Sequence, residues 1–178
     1  MNFQIRSYRE SDAPAILEII NDSILNTFHN YDYDPKPLED VQSQFSEKLA
    51  AGFPVLIGEV AGELAGYATF GKFRAKPGYN TTIEHSIYLT AKAQNQGLGS
   101  ELMRRLIAIA KEQGYHVMIA GMDSENLGSY RFHERLGFKE VARFPEVAFK
   151  FGKWLNLVFM QLTLETIDPQ SQDFSTQA

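Results

Sequence analysis

Gln94 to Ala110, QNQGLGSELMRRLIAIA, sets two glycines one residue apart directly before a run of helical periodicity. The spacing predicts a strand exit, a glycine turn and a helix start, so Gly97 and Gly99 fall where backbone N–H groups still lack partners and can face an anion such as a pyrophosphate. Past Gly99, Leu102, Leu106, Ile109 and Ala110 keep one face while Glu101, Arg104, Arg105, Ala108, Lys111 and Glu112 take the other, which anchors the helix by a single buried stripe. Taken alone, the two glycines fit an ordinary tight turn with close helix packing equally well. They form neither a Walker loop, since no Gly-Lys-Ser/Thr follows, nor a Rossmann fingerprint, since the third glycine is missing.

Whatever anion sits there is not met by a basic surface. The formal charge is -5, and no cluster of Lys and Arg interleaved with aromatics occurs, so neither nucleic acid nor an anionic membrane is an expected partner. The absence of cysteine excludes disulfides, thiolate metal sites and a cysteine acyl-enzyme. At 178 residues and 44% hydrophobic content the chain supports one buried core, expected as a single domain over 1–166, with a polar, patternless and disordered tail over 167–178. MNFQIRSYRE has no apolar signal core and no run approaches spanning length, which makes a cytoplasmic protein the expectation.

In chain order, Phe3 to Tyr8 reads as a strand. A helix follows with Ser11 or Asp12 as N-cap, Pro14 in its first turn and a stripe of Ala13, Ile16, Leu17, Ile20 and Ile24. The aromatic, proline-ended NTFHNYDYDPKP is a loop, and Leu38 to Ala51 a second helix with Leu38, Val41, Phe45 and Leu49 inward and Gly52 as its stop. PVLIGEV and LAGYATF, around Ala61-Gly62-Glu63, form a hairpin. If its second strand continues to Arg74 and Lys76, both cations point the same way.

TIEHSIYLT runs straight into the glycine loop. Alternation puts Glu84, Ser86 and Tyr88 on one face and Ile83, His85, Ile87 and Leu89 on the other. HVMIAGM is a buried strand. DSENLGSYRFHERLGF is a capped helix with Leu127, Phe132 and Leu136 inward, Asn126, Ser129, Tyr130 and His133 sharing a face, and Gly137 as its stop. Two strands around Phe151-Gly152-Lys153 close the pattern. His29, His85 and His116 show no ligand spacing, and no metal is expected.

Gln94, Gly97 and Gly99 match the acetyl-CoA loop of the GNAT superfamily of N-acetyltransferases, Arg/Gln-x-x-Gly-x-Gly/Ala, with Asn95 where many relatives carry a further glycine. The order β-α-α-β-β-β-α-β-α-β-β over about residues 3 to 164 resembles the same fold, an α/β arrangement with a mixed, mostly antiparallel central sheet and flanking helices. NLGSYRFHERLGF is similar to the superfamily's Asn-x-x-Ala/Ser-x-x-x-Tyr-x-x-x-Gly-Phe segment, with His133 at the position often held by tyrosine. Together with TIEHSIYL and EVAFKFGKWLNLVFMQ, it looks like the phosphinothricin and methionine sulfoximine N-acetyltransferase branch.

That resemblance implies acetyl-CoA as co-substrate, with Ile87, Tyr88 and Leu89 along its pantetheine arm, Asn95, Gln96, Gly97, Leu98, Gly99 and Ser100 at its pyrophosphate, and Asn126 further along. It implies Glu84 and His133 as the catalytic pair, and Tyr31, Arg74, Lys76, Tyr79, Ser86 and Tyr88 around the acceptor. Chemically, an amine attacks a thioester only as the free base, so an ammonium must first lose a proton. Glu84, near ~4.3 when unperturbed, needs burial or a bridging water to serve, whereas His133 starts near ~6.5. Tyr130 or His133 is a candidate to protonate the departing thiolate. Three functions stay open at this point: N-acetylation of a small amino acid or analogue, acetylation of a peptide or protein N-terminus, and a non-catalytic acyl-CoA binding module. A homodimer is compatible with each.

Overall fold

The computed structural model describes residues 3–164. The expected tail over 167–178 lies outside them. Seven strands and four helices follow the expected order: β1 (Phe3–Ser7), α1 (Ala13–Asn26), α2 (Leu38–Ala50), β2 (Val55–Val60), β3 (Glu63–Lys72), β4 (Thr82–Leu89), α3 (Leu98–Glu112), β5 (Val117–Asp123), α4 (Leu127–Arg135), β6 (Lys139–Lys150) and β7 (Lys153–Thr163). They build one sheet in the order β1-β2-β3-β4-β5-β7-β6. Every neighbouring pair is antiparallel except β4 with β5.

Period-two alternation along β2 and β3 divides the core between the two faces. Val55, Ile57 and Tyr67 pack with Ile16, Ile20 and Ile24 of α1 and Val41 and Phe45 of α2. Leu56, Ala68 and Phe70 turn to the other face, where Leu98, Leu102, Met103 and Leu106 of α3 cover them. The two hairpins close through Ala61-Gly62 and Phe151-Gly152. All four residues have positive φ, the conformation in which a two-residue turn matches strand twist.

Several sequence expectations need correcting. Asp12 stands at the N-cap of α1 but its carboxylate does not cap that helix. It holds the Arg6 guanidinium at 2.7 Å and the Arg9 N–H at 2.7 Å. Leu49 is exposed, because the inward stripe of α2 steps from Val41 to Phe45 to Lys48, whose Nζ donates to the Phe70 carbonyl at 3.0 Å. Leu127, in the first turn of α4, is exposed too. β3 stops at Lys72, so Arg74 and Lys76 lie in a turn, and strand alternation does not align them. Among the described residues no helix is long and apolar enough to cross a membrane.

Candidate active site

β4 and β5 share only three residue pairs, Thr82↔Val117, Ile83↔Met118 and Glu84↔Ile119, and then part. Which backbone groups face the gap follows from the opposite edge of β4. Thr82 accepts from the Phe73 N–H at 3.3 Å and Thr90 donates to the Ala65 carbonyl at 2.9 Å, so the even-numbered residues bond toward β3. The odd-numbered ones, Ile87 and Leu89 among them, therefore turn N–H and C=O into the gap. A cavity of about 550 Å³ opens there. Ile87, Tyr88, Leu89, Asn95, Gly97, Gly99, Ser100 and Asn126 all line it.

The loop is shaped by two left-handed steps, Asn95 at φ 60° and Gly97 at φ 86°. Asparagine fills the first because it tolerates that region better than other side chains. The first helical bond of α3 runs from Glu101 N–H to the Gly97 carbonyl at 3.1 Å, which leaves the N–H groups of Leu98, Gly99 and Ser100 outside the helix ladder. A Cβ on Gly97 would meet nothing within 4 Å, whereas one on Gly99 would come to 3.0 Å from Leu89 Cδ1. Gly97 is needed for its backbone angle, Gly99 for close packing. The Leu98 side chain is wholly buried in the core and Gln96 folds back to donate to the Lys92 carbonyl at 2.5 Å, so these two residues present backbone, not side chain, to the loop.

Glu84 is half-buried, with its carboxylate beside Gly121 of β5: a Cβ there would approach Glu84 Oε1 to 3.2 Å. Burial pushes its carboxyl above the usual range, and the positive charge of Arg74 pulls it part of the way back. Ser86 and Tyr88 line the cavity, and Tyr88 stacks on Tyr67 at 5.4 Å while its hydroxyl meets the Asn30 side chain. Tyr31 donates to Asp123 Oδ2 at 3.1 Å. Arg74 lies over the Phe73 ring at 5.0 Å, Tyr79 sits edge-on to the same ring, and Lys76 is exposed in the turn. Of the expected acceptor residues, Tyr31, Ser86 and Tyr88 are thus drawn together. Arg74 reaches Glu84 electrostatically, and Lys76 and Tyr79 do not line the cavity.

Gly121 and the buried carboxylate of Asp123 escaped the sequence reading. Glycine inside a strand was the signal available for the first. Asp123 carried none, because its partner lies 92 residues away.

His133 and Glu84 are not a contacting pair. Glu84 and His85 point to opposite faces of β4, and His133 joins His85, ring nitrogen to ring nitrogen, at 3.1 Å. Its other nitrogen, Nδ1, lies 2.8 Å from the Ser129 carbonyl, which can only accept, so Nδ1 carries the proton. His133 Nε2 must then accept from His85 Nε2–H. This leaves His85 Nδ1 as an acceptor, and it is buried without a partner. Burial holds the His133 imidazole down at about 4 and His85 well below its usual range. Tyr130, the other proposed proton donor, is turned to Glu140 instead.

A depressed histidine pKa is protonated less in the folded chain than in the unfolded one. Stability is therefore complete above the unfolded value near ~6.5 and falls as pH drops toward about 4, by on the order of 2–3 kcal/mol for His133. Melting temperatures of wild type and His133→Phe between pH 7.5 and 5 should converge toward the acid end. Parallel curves would mean that the imidazole is not buried neutral.

Set beside known proteins, residues 15–138 match the acetyltransferase (GNAT) family. A Pseudomonas paraeruginosa protein named L-methionine sulfoximine/L-methionine sulfone acetyltransferase is 40% identical over 93% of this chain and 96% of its own. A phosphinothricin N-acetyltransferase from Alcaligenes faecalis is 32% identical over 92% of this chain and 84% of its own. A Salmonella typhimurium protein solved with its cofactor acetyl-CoA superposes with a TM-score of 0.89 at 40% identity, covering 93% of this chain and 95% of that one.

Proposed function

The chain belongs to the acetyltransferase (GNAT) family and is an acetyl-CoA-dependent N-acetyltransferase, and we propose that its acceptor is the free α-amino group of a small amino-acid analogue of the methionine sulfoximine, methionine sulfone or phosphinothricin type. The observation that carries the proposal is Glu84, a carboxylate whose proton affinity burial raises, set against Gly121 of the cavity wall, where any side chain would crowd it. The free strand edge of β4 and the unpaired N–H groups at the start of α3 fit a thioester arm and a pyrophosphate, respectively.

Acetyl-CoA supplies the thioester carbon that the freed amine attacks, and its thiol leaves. Glu84 takes the first proton from the acceptor ammonium, directly or through a water. A backbone N–H of the odd-numbered set, Ile87 or Leu89, donates to the carbonyl oxygen as it gains charge. The nitrogen sheds a second proton as the amide forms, and this balances the proton that the leaving thiolate takes up. His133, with both ring nitrogens engaged and neutral, positions the sheet edge through His85 and does not act as the base. On this reading the enzyme works in the cytoplasm, where acetyl-CoA and free amino acids meet.

Arg74, whose charge acts on Glu84, is assigned to the acceptor's carboxylate. Turnover with methionine sulfoximine, phosphinothricin, free amino acids and a short peptide tests the substrate class, the free amino-acid analogues being expected to exceed the peptide. Arg74→Ala should lower kcat/KM roughly 10-fold for an active amino acid, mostly through KM, and far less for its amide, which lacks the partner. Equal losses on both acceptors would return the choice to a peptide N-terminus. Because the Arg74 charge lowers the proton affinity of Glu84, the same substitution should also move the acidic limb of the rate profile to higher pH.

A further inference from the structure

Lys150, the last residue of β6, is 1% exposed, and among the described residues no carboxylate lies at ion-pair distance, Asp32 acting on it only through its charge. Its ammonium has three N–H donors, and three backbone carbonyls accept them: Ile24 at 2.6 Å, Thr27 at 3.1 Å and Asn30 at 2.5 Å. The first belongs to the last turn of α1, where unpaired carbonyls and the negative end of the helix dipole favour a cation. The other two belong to the loop between α1 and α2. The neighbours of Lys150 grip the same loop: the Tyr33 hydroxyl donates to the Phe149 carbonyl, Phe28 packs edge-on to Phe151 at 5.3 Å, and Lys153 lies 5.3 Å over the Phe28 ring.

This loop is also the one that faces the acceptor. His29 lines the cavity, the Asn30 side chain meets the Tyr88 hydroxyl, and Tyr31 bonds Asp123. Asn30 is held from both sides, its carbonyl by Lys150 and its side chain by Tyr88. We propose that Lys150 is a positioning residue for acceptor binding: with the tip of the β6–β7 hairpin it locks the 27–33 loop so that Asn30 and Tyr31 meet Tyr88 and Asp123 across the cavity. A burial site for a lone lysine needs such a role, because a methionine of similar length would fill the space without desolvating a charge. The bonds of this loop into the cavity run to Tyr88 and Asp123, and among the described residues none runs to the glycine turn or the start of α3, where the pyrophosphate is assigned.

The inference rests on the acceptor reading above, and two variants test it separately from that reading. Lys150→Met removes the ammonium at nearly constant volume. Measured well below its melting transition, it should raise the acceptor KM roughly 10-fold while the acetyl-CoA KM stays within about twofold, and amide exchange across 28–33 should speed up by a similar factor. Tyr33→Phe cuts only the tie to the Phe149 carbonyl and should move both readouts the same way by roughly two- to threefold, so it decides the matter if Lys150→Met does not fold. Unchanged exchange across 28–33, or an acetyl-CoA KM that rises as much as the acceptor KM, overturns the assignment. A wild-type enzyme that acetylates no free amino acid would sink the acceptor reading instead, while the exchange measurement still reports on the lock.

Discussion

Gly97→Val should abolish binding of CoA and acetyl-CoA in calorimetry while the chain still folds. At φ 86° a β-branched residue is strained, which costs on the order of 1–3 kcal/mol wherever the backbone is held. Nothing inside the protein lies within 4 Å of the added Cβ, so no internal collision multiplies that cost. What the side chain does obstruct is approach to the N–H groups at the start of α3. Gly97→Ala should therefore fall between wild type and valine in affinity, and both variants should melt below wild type by about 2–4 °C for each kcal/mol of strain while still folding cooperatively. Undiminished CoA affinity in the valine variant would remove the anion site from this loop.

Glu84→Gln should cut kcat by roughly 100-fold or more with little change in acetyl-CoA affinity, since shape and hydrogen bonding survive but the proton acceptor does not. The pH dependence gives the sharper test. Burial places the Glu84 carboxyl above the usual carboxylate range, so wild-type activity should rise with pH as that group ionises, and glutamine should erase this acidic limb. At pH 9 more of the acceptor is already the free amine, and the variant should recover part of its deficit. A deficit as large at pH 9 as at pH 7 would make Glu84 a substrate-positioning group. Full activity at neutral pH would leave proton transfer with no assigned residue.

Local chemistry made most of the frame legible. The turn at Asn95 and Gly97, the hairpin at Ala61-Gly62 and the stop at Gly137 are written in residues whose backbone preferences act within a few positions. Alternation along β4 was likewise enough to separate Glu84 from His85. What alternation could not supply was which groups come to meet them. His133 reaches His85 across 48 positions, Tyr31 reaches Asp123 across 92, and Lys150 reaches Ile24 across 126. The failures at Leu49, Leu127 and Arg74 are of another kind: each assumed that a period persists to the end of its element. Helix ends fray and strands stop where the next turn begins, so the last residue of a pattern is the least constrained by it.

Three residue pairs are all that join β4 to β5, which makes the sheet two blocks, β1 to β4 and β5 to β7, fused at one end and splayed at the other. A ligand whose amides pair with Ile87 and Leu89 completes the missing stretch of ladder and becomes, while bound, a strand of non-protein origin. Folding and catalysis are then linked by mass action: at about 100 times its Kd such a ligand stabilises the native chain by ~2.7 kcal/mol. The same completion has to be undone on every cycle. The spent thiol leaves only by giving up those ladder bonds, so a ligand that paired more firmly with Ile87 and Leu89 would gain affinity at the expense of release.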